Sequence, residues 1–178
     1  MERVIGIIPA RYASSRLPGK VLQELCGIPI LVRVYKQAQL FKKWYKLVVA
    51  TDDERISYLC SKNEIPFIMT SKNHKDCIDR AAEVAETLVA EKYIIIQGDE
   101  PFFNAEILNA DFFPSIVNFY TKVKDPSEFY DSNAVKVVVS RNLRAIYFSR
   151  YSIPFHNSST QKSNDCLNID KQIGVYIF

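Results

Sequence analysis

Short apolar runs rich in β-branched residues alternate with segments of helical periodicity over the first hundred residues. No other feature constrains the fold as tightly. Residues 4–8 read as a buried strand ended by Pro9. Pro29 suits the first turn of a helix reaching about Leu40, with Ile30, Leu31, Val34, Ala38 and Phe41 at three- and four-residue steps. Residues 46–51 predict a second strand, and Asp52 or Asp53 can cap the helix that buries Ile56, Leu59 and Cys60. A strand over 65–69, a helix over 78–88 and a strand over 93–96 continue the series. Strands and helices alternating at these lengths predict an α/β fold with a doubly wound, mostly parallel sheet. Beyond this point the rhythm changes. Strands are expected over 116–123, 134–139 and 145–148, joined by loops as a mixed β extension, with a polar loop over 157–168. Residues 173–178 read as a strand with nothing after it to cover it, so the chain is expected to lack the last segment of its fold.

The length of 178 residues suits one domain with a sizeable core. With 23 basic and 20 acidic side chains the net charge is +3, and no Lys/Arg-rich run points to nucleic acid. No apolar stretch approaches the ~20 residues of a membrane helix, and Met1-Glu2-Arg3 leads straight into a strand rather than a signal peptide. A cytoplasmic protein without membrane or nucleic-acid partners is expected. Cys26, Cys60, Cys77 and Cys166 form no C-x-x-C pair and read as free thiols.

Two segments carry chemistry. The loop Pro9-Ala10-Arg11-Tyr12-Ala13-Ser14-Ser15-Arg16-Leu17-Pro18-Gly19-Lys20 follows the first strand, and ligands of open α/β sheets sit outside the carboxyl ends of strands. Its three cations, Arg11, Arg16 and Lys20, suit a triphosphate, although a solvated basic loop accounts for the same residues. It is neither a P-loop nor a G-x-G fingerprint, because Gly19 stands alone. The turn Gln97-Gly98-Asp99-Glu100-Pro101 ends the fourth strand. Asp99 can hold Mg²⁺ there, and Gly98 can let a ligand approach the backbone; an ordinary acidic turn is the other reading. His74 and His156 stand without a catalytic pattern.

Taken together, these residues resemble the CMP-sugar synthetase family, and within it the 3-deoxy-manno-octulosonate cytidylyltransferases. The match runs in order through Ile8-Pro9-Ala10-Arg11-Tyr12, Arg16-Leu17-Pro18-Gly19-Lys20, Val49-Ala50-Thr51-Asp52, Gln97-Gly98-Asp99-Glu100-Pro101, Asn133 to Val138, and Tyr147-Phe148-Ser149-Arg150 with Ile153-Pro154. The resemblance implies a Rossmann-like, GT-A-like nucleotidyltransferase sandwich of three layers, built as one domain over residues 1–178. It implies an enzyme that joins CTP to an acidic sugar, giving the CMP-sugar and pyrophosphate for lipopolysaccharide or capsule biosynthesis. Mg²⁺ is the implied cofactor and a homodimer the implied assembly. Arg11, Lys20 and Asp99 are the implied catalytic residues, with Asp99 on the metal. Ala10, Arg11, Arg16, Lys20 and Arg80 would bind CTP, and Gln97, Arg150, Gln172 and Tyr176 the sugar. Two blocks depart from the family pattern. His74-Lys75-Asp76-Cys77-Ile78-Asp79-Arg80 replaces His-x-Ser-Gly-Thr-x-Arg, and Gln172 stands where a sugar-contacting His is usual. The family also continues further, with a second metal-site Asp. Other readings are a non-catalytic nucleotide-binding fragment, a CMP-nonulosonic acid synthetase or another sugar nucleotidyltransferase.

Overall fold

Seven consecutive buried residues, Val4–Ala10, form β1, the strand on which the rest of the sheet is built. The computed structural model describes residues 2–13, 17–109, 116–154 and 169–178. After β1 come β2 (Glu24–Leu25), β3 (Ile28–Pro29), α1 (Ile30–Ala38), β4 (Trp44–Thr51), α2 (Glu54–Lys62), β5 (Phe67–Met69), α3 (Cys77–Thr87) and β6 (Lys92–Ile96). Then follow β7 (Val117–Lys122), α4 (Pro126–Tyr130), β8 (Lys136–Val139), β9 (Ala145–Ser149) and β10 (Asp170–Ile177). The chain forms two compact units, Met1–Val117 with Gly174–Phe178, and Asn118–Ile173.

In the first unit β1 lies between β4 and β6, parallel to both, with Ile7 opposite Val48 on one side and Ile95 on the other. Strand β5 adds to β4 in parallel. The end of β10 pairs antiparallel with β6, Val175 opposite Ile96. Ile5, Ile7, Val48, Ala50 and Ile95 meet Ala81 and Val84 of α3 in one apolar cluster. That is why the strands read as unbroken apolar runs and α3 as a one-faced helix. The expected α/β fold with a mostly parallel sheet is present.

Local chemistry sets the helix starts. Pro29 lies just before α1, and Asp53 caps α2 by accepting the Arg55 N–H. Asp76 caps α3 by accepting the N–H groups of Ile78 and Asp79. The last strand is longer than expected and is covered. Val175 is 0% and Ile177 5% exposed, because β10 takes the open edge of β6. The expectation of an uncovered closing strand is corrected on this point.

In the second unit, β8 pairs antiparallel with β9, Lys136 opposite Ser149, and with the start of β10, Lys136 opposite Lys171. Asp125 caps the short α4 by accepting the Ser127 N–H, and Phe129 of that helix is fully buried. These elements are the expected mixed β region. The polar loop expected over 157–168 lies outside the described residues. Among the described residues no helix is long and apolar enough to cross a membrane.

Candidate active site

Strands β1, β4 and β6 run parallel, so their carboxyl ends lie on one edge of the first unit's sheet, and the expected site residues follow them. Ala10, the last residue of β1, is buried, and Arg11 after it is exposed, with no ion pair among the described residues. The loop then folds back on itself. The Gly19 N–H donates to the Tyr12 carbonyl at 2.8 Å. Gly19 takes φ +68°, and a Cβ there would lie 2.8 Å from the Tyr12 ring. Only glycine fits this return, since left-handed backbone strains other residues. The return delivers Lys20, whose Nζ donates to Asp99 Oδ2 at 2.7 Å. Ser14, Ser15 and Arg16 lie outside the described residues, so Arg16 is not placed.

The turn after β6 packs against the end of β1. A Cβ on Gly98 would lie 3.0 Å from the Pro9 carbonyl oxygen and 3.5 Å from Ala10 Cβ and Leu31 Cδ1. Gly98 was expected to admit a ligand; what it admits in this structure is the backbone of β1. Gln97 is held on three sides. Its backbone N–H donates to the Gly174 carbonyl at 2.8 Å, and its Nε2 donates to Tyr176 Oη at 3.1 Å and to Cys77 Sγ at 3.9 Å. Two of the expected sugar residues, Gln97 and Tyr176, are therefore in contact. Burial pushes the Cys77 thiol above its ordinary pKa and nearby Asp76 acts in the same direction, while Arg11 opposes them and Asp99 adds to the rise. The 3.9 Å contact with Gln97 Nε2 places Cys77 beside the site. Neither the scattered cysteines nor the altered 75–79 segment signalled its contact with Gln97.

Arg80 is 3% exposed and its guanidinium is engaged. Nη2 donates to Asp52 Oδ2 at 2.9 Å, and Nη1 to Thr70 Oγ1 and, at 3.4 Å, to the Ser71 carbonyl. Asp52 was offered as a helix cap, but Asp53 does the capping and Asp52 neutralises Arg80. In this structure Arg80 faces a carboxylate rather than open solvent. A pocket of about 740 Å³ opens nearby, lined by Tyr12, Asp52, Asp53, Arg55, Met69 and Lys72 among others. The Arg55 guanidinium stacks 3.2 Å from the Tyr12 ring centre. Its carboxylates Asp52 and Asp53 are paired with Arg80 and Arg55, and Lys72 is a further cation of the lining, whereas Lys20 is not among the lining residues. His74 pairs with Glu83, whose carboxylate also takes the Ser71 N–H at 2.9 Å; the pair anchors a loop. His156 lies outside the described residues.

The remaining expected residues belong to the second unit. Arg150 is exposed, and its Nη1 donates to the Ser132 carbonyl at 3.0 Å. The Gln172 N–H donates to the Val135 carbonyl at 2.8 Å.

Comparison with known proteins shows the family. A family model described as Cytidylyltransferase matches residues 5–178. The chain is 36% identical over 189 residues to a 3-deoxy-manno-octulosonate cytidylyltransferase of Trichlorobacter lovleyi, covering 99% of this chain and 75% of that one. It is also 36% identical to the enzyme of that name from Pseudoalteromonas translucida, covering 100% of this chain and 74% of that one. Among solved structures, a CMP:2-keto-3-deoxy-manno-octonic acid synthetase complexed with CTP superposes with a TM-score of 0.81 at 32% identity. That alignment covers 99% of this chain and 73% of the other.

Proposed function

The chain belongs to the cytidylyltransferase family, and from that premise we propose that it transfers CMP from CTP to 3-deoxy-manno-octulosonate, releasing pyrophosphate. The observation that carries this reading is the meeting of Lys20 and Asp99 across the carboxyl ends of β1 and β6. One site then offers a cation for phosphate oxygens and a carboxylate for a metal. The names of the relatives supply the nucleotide and the sugar.

In the reaction the anomeric hydroxyl oxygen of the sugar attacks the α-phosphorus of CTP. The new P–O bond forms as the bond to the oxygen bridging the α- and β-phosphorus breaks, and that electron pair leaves with pyrophosphate. The hydroxyl proton passes to solvent. No side-chain nucleophile is required, so catalysis consists of positioning and charge neutralisation. Lys20 and Arg11 offset the charge gathering on pyrophosphate, and Arg16 belongs to the same loop. Ala10, buried at the end of β1, leads into that loop. Arg80, neutralised by Asp52, shapes the nucleotide wall from behind instead of meeting phosphate itself. In the first unit Gln97 and Tyr176 form a hydrogen-bonded pair suited to sugar hydroxyls, and in the second unit Arg150, with Gln172, offers a guanidinium fork of the kind that suits a carboxylate.

Among the described residues no three His, Cys, Asp or Glu side chains gather as a metal cage. Mg²⁺ does not demand one: it takes one or two carboxylates and completes its shell with water and phosphate oxygens. The Asp99 side chain is 38% exposed at the strand end and fits that mode. The bound ion would supply charge neutralisation at the phosphate oxygens. Action in the cytoplasm as a homodimer completes the proposal.

Calorimetric titration in Mg²⁺ with CTP, UTP, GTP and ATP tests the nucleotide assignment. Selective binding of CTP is expected, and equal binding of all four would contradict it.

A further inference from the structure

Lys136 of β8 is a buried charge that the reaction does not use. Its side chain is 0% exposed, although lysines are almost never fully buried unless paired. Among the described residues it forms no ion pair with a carboxylate. Its Nζ instead donates to two backbone carbonyls, of Asp131 at 2.7 Å and of Arg150 at 3.0 Å. Burial holds its ammonium below the ordinary lysine value, which Asp131 opposes and Arg150 reinforces. A group so costly to bury requires a reason.

The partners supply one. The Lys136 side chain holds the backbone of Arg150, and the Arg150 side chain holds the backbone of Ser132 at 3.0 Å. Ser132 adjoins Asp131, which Lys136 also holds. The bonds close a loop between the 131–132 turn and the end of β9. Strand register sharpens the point. Lys136 is opposite Ser149 on one neighbour and Lys171 on the other, so Arg150 and Gln172 each directly follow a residue of that row. The bond from the Gln172 N–H to the Val135 carbonyl confirms one side of that row. A guanidinium has five N–H donors, and only one in Arg150 has a partner among the described residues.

We propose that Lys136 is a positioning residue for recognition of an anionic sugar: by clamping the backbone of Arg150 it holds an exposed guanidinium, beside Gln172, for the substrate carboxylate. This rests on the function proposed above. Lysine suits the task because a compact ammonium on a flexible stem can bridge two carbonyls, which a neutral side chain of the same length cannot.

Steady-state kinetics on the full chain, with CTP and 3-deoxy-manno-octulosonate varied in turn, test it. Lys136→Met should raise the sugar KM about tenfold, as loss of a charge-assisted contact does, and leave the CTP KM within about twofold. In an Arg150→Ala background the same substitution should add less than about twofold to the sugar KM, because the residue it positions is gone. An unselective change in both KM values, or an undiminished effect in the Arg150→Ala background, overturns the proposal. If Lys136→Met does not fold, Lys136→Arg is read instead: it keeps charge and donors but misplaces them. A selective rise in sugar KM supports the clamp, and an unchanged sugar KM overturns it. Failure of the wild-type chain to turn over any acidic sugar removes the parent reading and this one together. Wild-type turnover with an unselective Lys136→Met removes this one alone.

Discussion

Lys20 Nζ lies 2.7 Å from Asp99 Oδ2, which joins the loop after β1 to the turn after β6. The two side chains are 43% and 38% exposed, so the pair adds little to stability, on the order of 0–1 kcal/mol for an exposed ion pair. Its place is what matters. Lys20→Ala should weaken CTP binding by about 1.5–3 kcal/mol, the range for a hydrogen bond to a charged group, with the melting temperature nearly unmoved. Calorimetry and thermal denaturation on the same preparation separate the two effects. Unchanged CTP affinity would take this loop out of the nucleotide site.

Arg80 should behave in the opposite way. It is 3% exposed and bonded to Asp52 and Thr70, so Arg80→Met leaves a carboxylate without its partner. Breaking a buried pair from one side costs about 3–5 kcal/mol. Urea denaturation should show a loss of that order, and a loss under about 1 kcal/mol would show that the pair is not closed to water.

Helix α2 gives a pH signature. The hydrogen bond from the Arg55 side chain is the largest influence holding the Asp53 carboxyl below its ordinary value of 3.8. A carboxyl depressed by folding contributes stability that is complete above its unfolded pKa and is lost as pH falls through the folded one. Asp53 should therefore support α2 fully at neutral pH and lose that support below 3.8. Asn also caps helices but does not titrate, so Asp53→Asn should flatten the acid limb of the stability curve. Asp53→Ala should cost about 0.5–2 kcal/mol even at neutral pH. An acid limb identical in wild type and Asp53→Asn would assign it to other groups.

Much of this was legible in the sequence because local rules and tertiary needs agree. The apolar runs of β1, β4 and β6 read as parallel strands because both faces are covered, and Pro29 and Asp53 mark helix starts by local chemistry. The spacing of Lys20 and Asp99 said nothing of their contact; it follows from the parallel pairing of β1 with β6, which places both strand ends together. Three further facts were not legible. The partnership of Asp52 with Arg80 spans 28 residues and has no motif. The covered state of β10 depends on which edge it joins, and nothing in residues 173–178 names β6. The role of Gly98 depends on the approach of Pro9 from a different strand.

Pyrophosphate release from CTP and Mg²⁺ with a panel of acidic sugars, with the product identified by mass spectrometry and Asp99→Asn run in parallel, tests whether one site built on Lys20 and Asp99 joins CTP to an acidic sugar. Pyrophosphate and a CMP-linked 3-deoxy-manno-octulosonate should form in equal amounts with the wild-type chain. Neither should form with Asp99→Asn, although that variant should melt as the wild type does because the Asp99 side chain is partly exposed. Full release by Asp99→Asn at saturating Mg²⁺, or no CMP-sugar from the wild type with any acid in the panel, would contradict that assignment.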